Sequence, residues 1–118
     1  VLGHTKCGAV KGACDDVKLG KLTGLLSKLK PAVEAAHRVS HNGSPANQDF
    51  VEEVALLNVF ETVNQIPKRS EILADLIRDG SIILVAAMYN VETGVVEFHD
   101  DISTTGSQVE GSQKNASR

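Results

Sequence analysis

Val1-Leu2-Gly3-His4-Thr5-Lys6-Cys7-Gly8-Ala9-Val10 opens the chain. An apolar pair running into glycine reads as the tail of a buried parallel strand, too short to stand alone. His4 and Cys7 follow, three positions apart, and Gly8 opens a segment whose small residues Ala9, Gly12 and Ala13 suit a tightly packed helix or turn ending near Asp16. Imidazole and thiolate are the commonest zinc donors. A strand end and the turn after it can aim both at one ion. A tetrahedral zinc site needs at least one more protein ligand.

Beyond that segment, Leu22, Leu25, Leu26, Leu29 and Val33 recur at helical spacing and predict an amphipathic face. Pro31 disfavours helical geometry at Lys30, which predicts a kink or two abutting helices. His41-Asn42-Gly43-Ser44-Pro45 reads as a loop. Asn47 is placed to cap a long helix over 48–65, with Asp49, Glu52 and Glu53 near its positive end. Its apolar residues wrap more than one face, which predicts burial on two sides, between the sheet and a partner. Pro67 is expected to end it. Ser70 caps a following helix over 71–78, with Ile72, Leu73, Leu76 and Ile77 inward and Gly80 as its stop.

Ile82–Met88 is a continuous apolar run, as expected of a strand covered on both faces. Asn90–Gly94 supplies turn residues, and Val95–Phe98 returns as an edge strand. From about Asp100 small polar residues dominate without periodicity, which predicts a disordered tail over 100–118.

The 118 residues suffice for one modest domain, and 42% hydrophobic with 23% charged residues is the composition of a soluble globular protein. A net charge of −3 and only three Phe and one Tyr argue against nucleic acid as a partner. Lys11, Lys18, Lys21, Lys28 and Lys30 read as solvated faces. No apolar run is long enough to span a membrane. Cys7 has a better use as a metal thiolate than in a disulfide with Cys14, which places the protein in a reducing compartment, the cytoplasm.

Gly3-His4-Thr5-Lys6-Cys7-Gly8-Ala9-Val10 closely resembles the zinc-ligand segment of the β-class carbonic anhydrases. Gly80-Ser-Ile-Ile-Leu-Val-Ala-Ala-Met-Tyr-Asn-Val-Glu-Thr-Gly-Val-Val-Glu-Phe98 resembles the strand-turn-strand near that family's C-terminus. Val51-Glu-Glu-Val-Ala-Leu-Leu-Asn-Val59 and Arg69-Ser-Glu-Ile-Leu73 resemble its connecting helices. The resemblance runs over about residues 1–99 in the family's order.

It implies an α/β fold, a partly parallel β-sheet flanked by helices and truncated at its N-terminal side. Residues 1–99 would be the C-terminal half of one zinc-enzyme domain. It further implies zinc-dependent, reversible hydration of carbon dioxide to bicarbonate in a dimer or larger homo-oligomer, with Zn2+ held by two thiolates and one imidazole. His4 and Cys7 would be two of those ligands, and no other catalytic or cofactor-binding residue falls in this chain. The family's remaining cysteine lies upstream, in a Cys-x-Asp-x-Arg motif that nothing here matches. The chain is therefore expected to be a C-terminal half cut within its sheet, and inactive or weakly active alone. Two alternatives stand beside this reading: a carbon disulfide or carbonyl sulfide hydrolase on the same fold, and a non-catalytic interaction module.

The remaining polar residues have plainer readings. Cys14 lies two helical turns beyond Cys7, about 10 Å away, and reads as a packed free thiol. His37, His41 and His99 are placed at a helix end, a loop and a strand end, as surface histidines rather than proton shuttles. Asp15 and Asp16 end a helix, because adjacent residues do not face one another. Gly8 and Gly12 stand in no phosphate-binding pattern. Lys6, between the two ligands, carries no chemistry in the resemblance.

Overall fold

The computed structural model describes residues 1–40 and 43–104. Strand β1 (Leu2–His4) leads into helix α1 (Gly8–Cys14), followed by α2 (Leu22–Ser27), α3 (Lys30–Val39), α4 (Gln48–Arg69) and α5 (Glu71–Arg78). Strands β2 (Leu84–Tyr89) and β3 (Val96–Thr104) complete the order. The sheet runs β1-β2-β3, with β1 parallel to β2 and β3 antiparallel to β2. This is the partly parallel sheet with flanking helices that the sequence implied.

The register pairs Leu2 with Ala87, Gly3 with Met88 and His4 with Tyr89. The amino group of Val1 donates to the Val85 carbonyl (2.7 Å), and Thr5 N–H donates to the Tyr89 carbonyl (3.0 Å). The strand bearing the first candidate ligand is thus fastened to the far end of the described chain.

Helix α4 is the spine. Asn47 caps it through a side-chain oxygen that accepts from Asp49 N–H (3.1 Å), satisfying a donor that the first turn leaves free. In its first half Phe50, Val51, Val54 and Ala55 pack on Val10 of α1 and on Ala32 and Ala36 of α3. The two alanines leave room for the helices to approach. In its second half Val59 and Val63 pack on Ala86 of β2. Phe50, Val54 and Val63 are fully buried, each worth about 1.5–3 kcal/mol of transfer free energy.

Several local expectations are corrected. The β1 strand is not buried: it forms a sheet edge, and Leu2 is 61% exposed. Pro67 does not end α4, which continues to Arg69. In a helix's last turn proline removes a single hydrogen bond, and the Ser70 amide still donates to the Ile66 carbonyl (3.1 Å). The helix therefore exceeds the predicted 48–65 span. Of the four apolar residues expected to point inward on α5, only Ile77 is buried, and Ile72 is 74% exposed. β2 starts at Leu84 rather than Ile82, and Ala86 and Ala87, neighbours that point to opposite faces, are its buried residues, so the strand is covered on both faces at its centre and not along its length. β3 reaches Thr104, past the boundary expected at Asp100. The rest of the predicted tail, 105–118, lies outside the described residues, as does His41.

Other expectations are met. Pro31 sits in the first turn of α3, which abuts α2. Ser70 Oγ accepts from Leu73 N–H (3.3 Å), capping α5, and Gly80 takes a left-handed conformation (φ 80°) beyond its end. Asn90 organises the β2–β3 turn, its Oδ1 accepting from the Glu92 (2.9 Å) and Thr93 (3.2 Å) amides.

Candidate metal centre

His4 ends β1, and Cys7 is the residue from which α1 departs, with extended backbone (φ −72°, ψ 114°). Reversing the chain between strand and helix in two residues forces a sharp turn. Lys6 makes it, with φ 54°, a left-handed conformation that side chains other than glycine, asparagine and aspartate adopt at a cost. The identity of Lys6 decides nothing in the resemblance, but its backbone shapes the turn that carries both candidate ligands. Its ammonium pairs with Glu92 Oε1 (2.6 Å), but both side chains are more than half exposed, so the pair adds little.

Three further contacts hold the turn. His4 Nδ1 lies 2.8 Å from the Thr5 carbonyl oxygen. A carbonyl only accepts, so this bond requires the proton on Nδ1 and leaves the Nε2 lone pair free. Val91 N–H donates to Thr5 Oγ1 (3.1 Å). Lys6 N–H donates to Glu52 Oε1 (2.8 Å), which also accepts from the Gln48 side-chain amide. The other oxygen of Glu52 is buried and has no hydrogen-bond partner among the described residues. A buried acceptor left unpaired costs about 1–3 kcal/mol.

Cys7 is half-buried and lines an open groove of about 870 Å³, whose apolar walls include Val10, Leu25, Leu29, Ile66 and Leu73. His4 is exposed. An imidazole with one nitrogen held by a backbone carbonyl and the other free is the usual state of a metal-binding histidine. A half-buried thiol at the other end of the turn is a second donor of the right kind. The two residues fit two positions of a zinc site. Among the described residues, no group of three histidine, cysteine, aspartate or glutamate side chains is arranged to hold a metal ion.

Cys14 packs against the core beside Val10 and α4 and is a free thiol, as expected. Burial pushes its pKa above the ordinary value, the Asp15 charge adds to this, and Lys11 opposes it. Its thiol stays protonated at neutral pH, which suits packing rather than ligation. Asp15 caps the end of α1, and Asp16 follows with φ 51°. Lys18 hydrogen-bonds Asp16 and, with its charge, holds that carboxyl below the ordinary carboxylate range. His37 stacks against Phe50 with ring centroids 4.8 Å apart, and His99 meets Phe60 edge-on at 5.4 Å. Neither reaches the ligand turn.

Glu52 escaped the sequence reading, which took it only as an acidic residue near a helix N-terminus. It lies 46 positions from Lys6, and no local pattern marks the contact.

Comparison with known proteins agrees with this fold. A family model described as carbonic anhydrase matches residues 1–96. Carbonic anhydrase 2 of Mycobacterium tuberculosis (strain ATCC 25618 / H37Rv) is 30% identical over 109 residues, which cover 92% of this chain and 52% of that protein. The carbonic anhydrase of Mycolicibacterium smegmatis (strain ATCC 700084 / mc(2)155) is 28% identical over 111 residues, covering 90% and 50%. Among solved structures, the β-carbonic anhydrase CafA of the fungal pathogen Aspergillus fumigatus superposes with a TM-score of 0.69 at 29% identity. That match covers 84% of this chain and 46% of CafA. The chain spans about half the length of the curated relatives it matches.

Proposed function

This chain belongs to the β-class carbonic anhydrase family, and from that membership we propose that the protein carrying it hydrates carbon dioxide reversibly to bicarbonate at a zinc ion. His4 Nε2 and the Cys7 thiolate are two of the ligands. The observation that carries this reading is the ligand turn itself. His4 Nδ1 is committed to the Thr5 carbonyl at 2.8 Å, so the ring presents one free nitrogen on the same tight turn as Cys7. His4 and Cys7 would hold the zinc ion, which would supply the Lewis acidity that makes water a competent nucleophile towards carbon dioxide near neutral pH.

The chain's own residues have defined parts. The Thr5 carbonyl fixes the His4 ring. Thr5 and Lys6 hold the turn against β2 and α4. Cys7 faces the apolar groove, where a small nonpolar substrate is not disfavoured by desolvation. The remaining thiolate comes from polypeptide beyond these residues. The apolar surface left bare, including Leu2, Leu25 and Ile72, supports association with further protein, as in a dimer or tetramer. The free thiols favour a reducing, cytoplasmic setting.

Zinc content and carbon dioxide hydration by the protein, beside His4→Ala and Cys7→Ala, provide the test. Both variants should lose most of the bound zinc and most of the activity. A folded wild-type protein that takes up no zinc would refute the proposal. Measuring sulfide release from carbonyl sulfide and carbon disulfide in the same preparation decides between the two substrate classes. A non-catalytic interaction module remains the second reading. In its favour, the described residues gather only two donors, and a stable hetero-complex without zinc uptake would select it.

A further inference from the structure

The hydrogen bonds to His4 and to Glu52 share one peptide unit. Its carbonyl belongs to Thr5 and accepts from His4 Nδ1 at 2.8 Å. Its N–H belongs to Lys6 and donates to Glu52 Oε1, also at 2.8 Å. The peptide is trans, so its N–H and C=O point in opposite directions along one dipole. A carboxylate on the N–H side draws that hydrogen and makes the carbonyl oxygen on the far side a stronger acceptor, since hydrogen bonds in series polarise one another.

We propose that Glu52 is a positioning residue for His4, acting through the Thr5–Lys6 peptide to hold the imidazole as its Nδ1–H tautomer with Nε2 free for the metal. The inference rests on the zinc reading above for its purpose, but not for its geometry. Metal-bound histidines commonly donate their second nitrogen to a carboxylate, which fixes the ring and raises its basicity as a ligand. Here one peptide is interposed between carboxylate and ring.

Three features assign the role to Glu52 rather than to a neighbour. Lys6 is held at φ 54°, the conformation that turns its N–H towards α4. Glu52 is set one helical turn after Gln48, whose amide donates to the same oxygen and orients the carboxylate. The second carboxylate oxygen is buried without a partner, so within the described structure the bonds to Glu52 converge on the oxygen facing the ligand turn. Nothing in helix capping explains that arrangement, because Asn47 already caps α4.

The test is made by NMR on the nitrogen-15-labelled, metal-free protein, at a pH where the imidazole is neutral. In wild type His4 should be the Nδ1–H tautomer. Glu52→Gln keeps an acceptor oxygen and removes the charge, so the Lys6 amide proton and the His4 ring nitrogens should shift together. Glu52→Ala should raise the Nε2–H population. A Lys6 shift with His4 unmoved, or no shift at either residue, would overturn the proposal. Should Glu52→Ala fail to fold, the isosteric Glu52→Gln decides alone. In zinc titrations Glu52→Gln should bind about 10-fold more weakly or worse, and unchanged affinity would also overturn it. A wild-type protein that binds no zinc would refute the carbonic anhydrase reading, while the metal-free tautomer still decides the role of Glu52.

Discussion

Gly3 and Val59 meet with no space between them: a Cβ on Gly3 would lie 2.5 Å from Val59 Cγ2, and 2.6 Å from Met88 Sδ. The missing side chain lets β1, the strand that ends in His4, rest directly on α4. Among the described residues β1 has one strand neighbour, so this contact with the helix sets its depth.

Gly3→Ala should therefore destabilise the fold by about 1–3 kcal/mol through overpacking. Val59→Ala in the same chain should recover part of the loss, because the two sites share one space. Chemical denaturation of the two single variants and the double variant measures the coupling. Strict additivity would show that the contact does not constrain β1.

Lys6 gives a backbone prediction. Glycine takes φ 54° without steric cost but loses more freedom on folding, by roughly 0.5–1 kcal/mol. A left-handed conformation costs an ordinary residue about 1–2 kcal/mol. Lys6→Gly should thus leave stability unchanged or raise it by up to about 1.5 kcal/mol. Lys6→Pro can neither reach this φ nor donate to Glu52, and it should cost about 3 kcal/mol or more. Thermal denaturation separates them, and equal effects would contradict a left-handed turn.

Ser70 closes one helix and opens the next, its amide bonding back into α4 and its hydroxyl capping α5. Ser70→Ala should remove only the second function, destabilising by about 1 kcal/mol, while Ser70→Asp should preserve it. Hydrogen exchange should show the loss in the first turn of α5, with the end of α4 unaffected. Fraying of both helices would count against this division.

Cys14 predicts an alkaline weakness. Its folded-state pKa is raised, first by burial and then by Asp15, above an ordinary value of 9.0. The folded state thus disfavours the thiolate. The contribution is fully present below pH 9.0 and is lost as pH rises through the folded-state value. Unfolding free energy followed from neutral to alkaline pH should fall more steeply for wild type than for Cys14→Ala. Identical pH dependence in the two would refute the prediction.

Most of the helical scaffold was legible because caps and periodicity are local. Asn47 and Ser70 each announce a helix within the next three residues, and Asn90–Gly94 announces its turn. The candidate pair His4 and Cys7 came from the resemblance, on residues 3–10. Burial was harder to read. Ile72 and Leu2 are apolar at the right spacing, yet spacing says which residues seek cover and not whether the described chain supplies it. Pro67 was misjudged because the penalty for proline depends on how many turns remain. Glu52 was invisible for a different reason: its partner is a backbone N–H brought round by an unusual φ at Lys6, and side-chain identity encodes neither.

The fastening of the ligand turn also orders events in time. Thr5 is gripped by Tyr89 and Val91, the latter 86 positions away, so His4 and Cys7 are synthesised well before β2 and cannot be locked in place until it has been made. Closing so long a loop is slow relative to local helix formation. α4 can form with its cap before the turn is secured from the sheet side. The nascent chain therefore carries His4 and Cys7 on an unlocked turn until the β2–β3 hairpin arrives to fasten it.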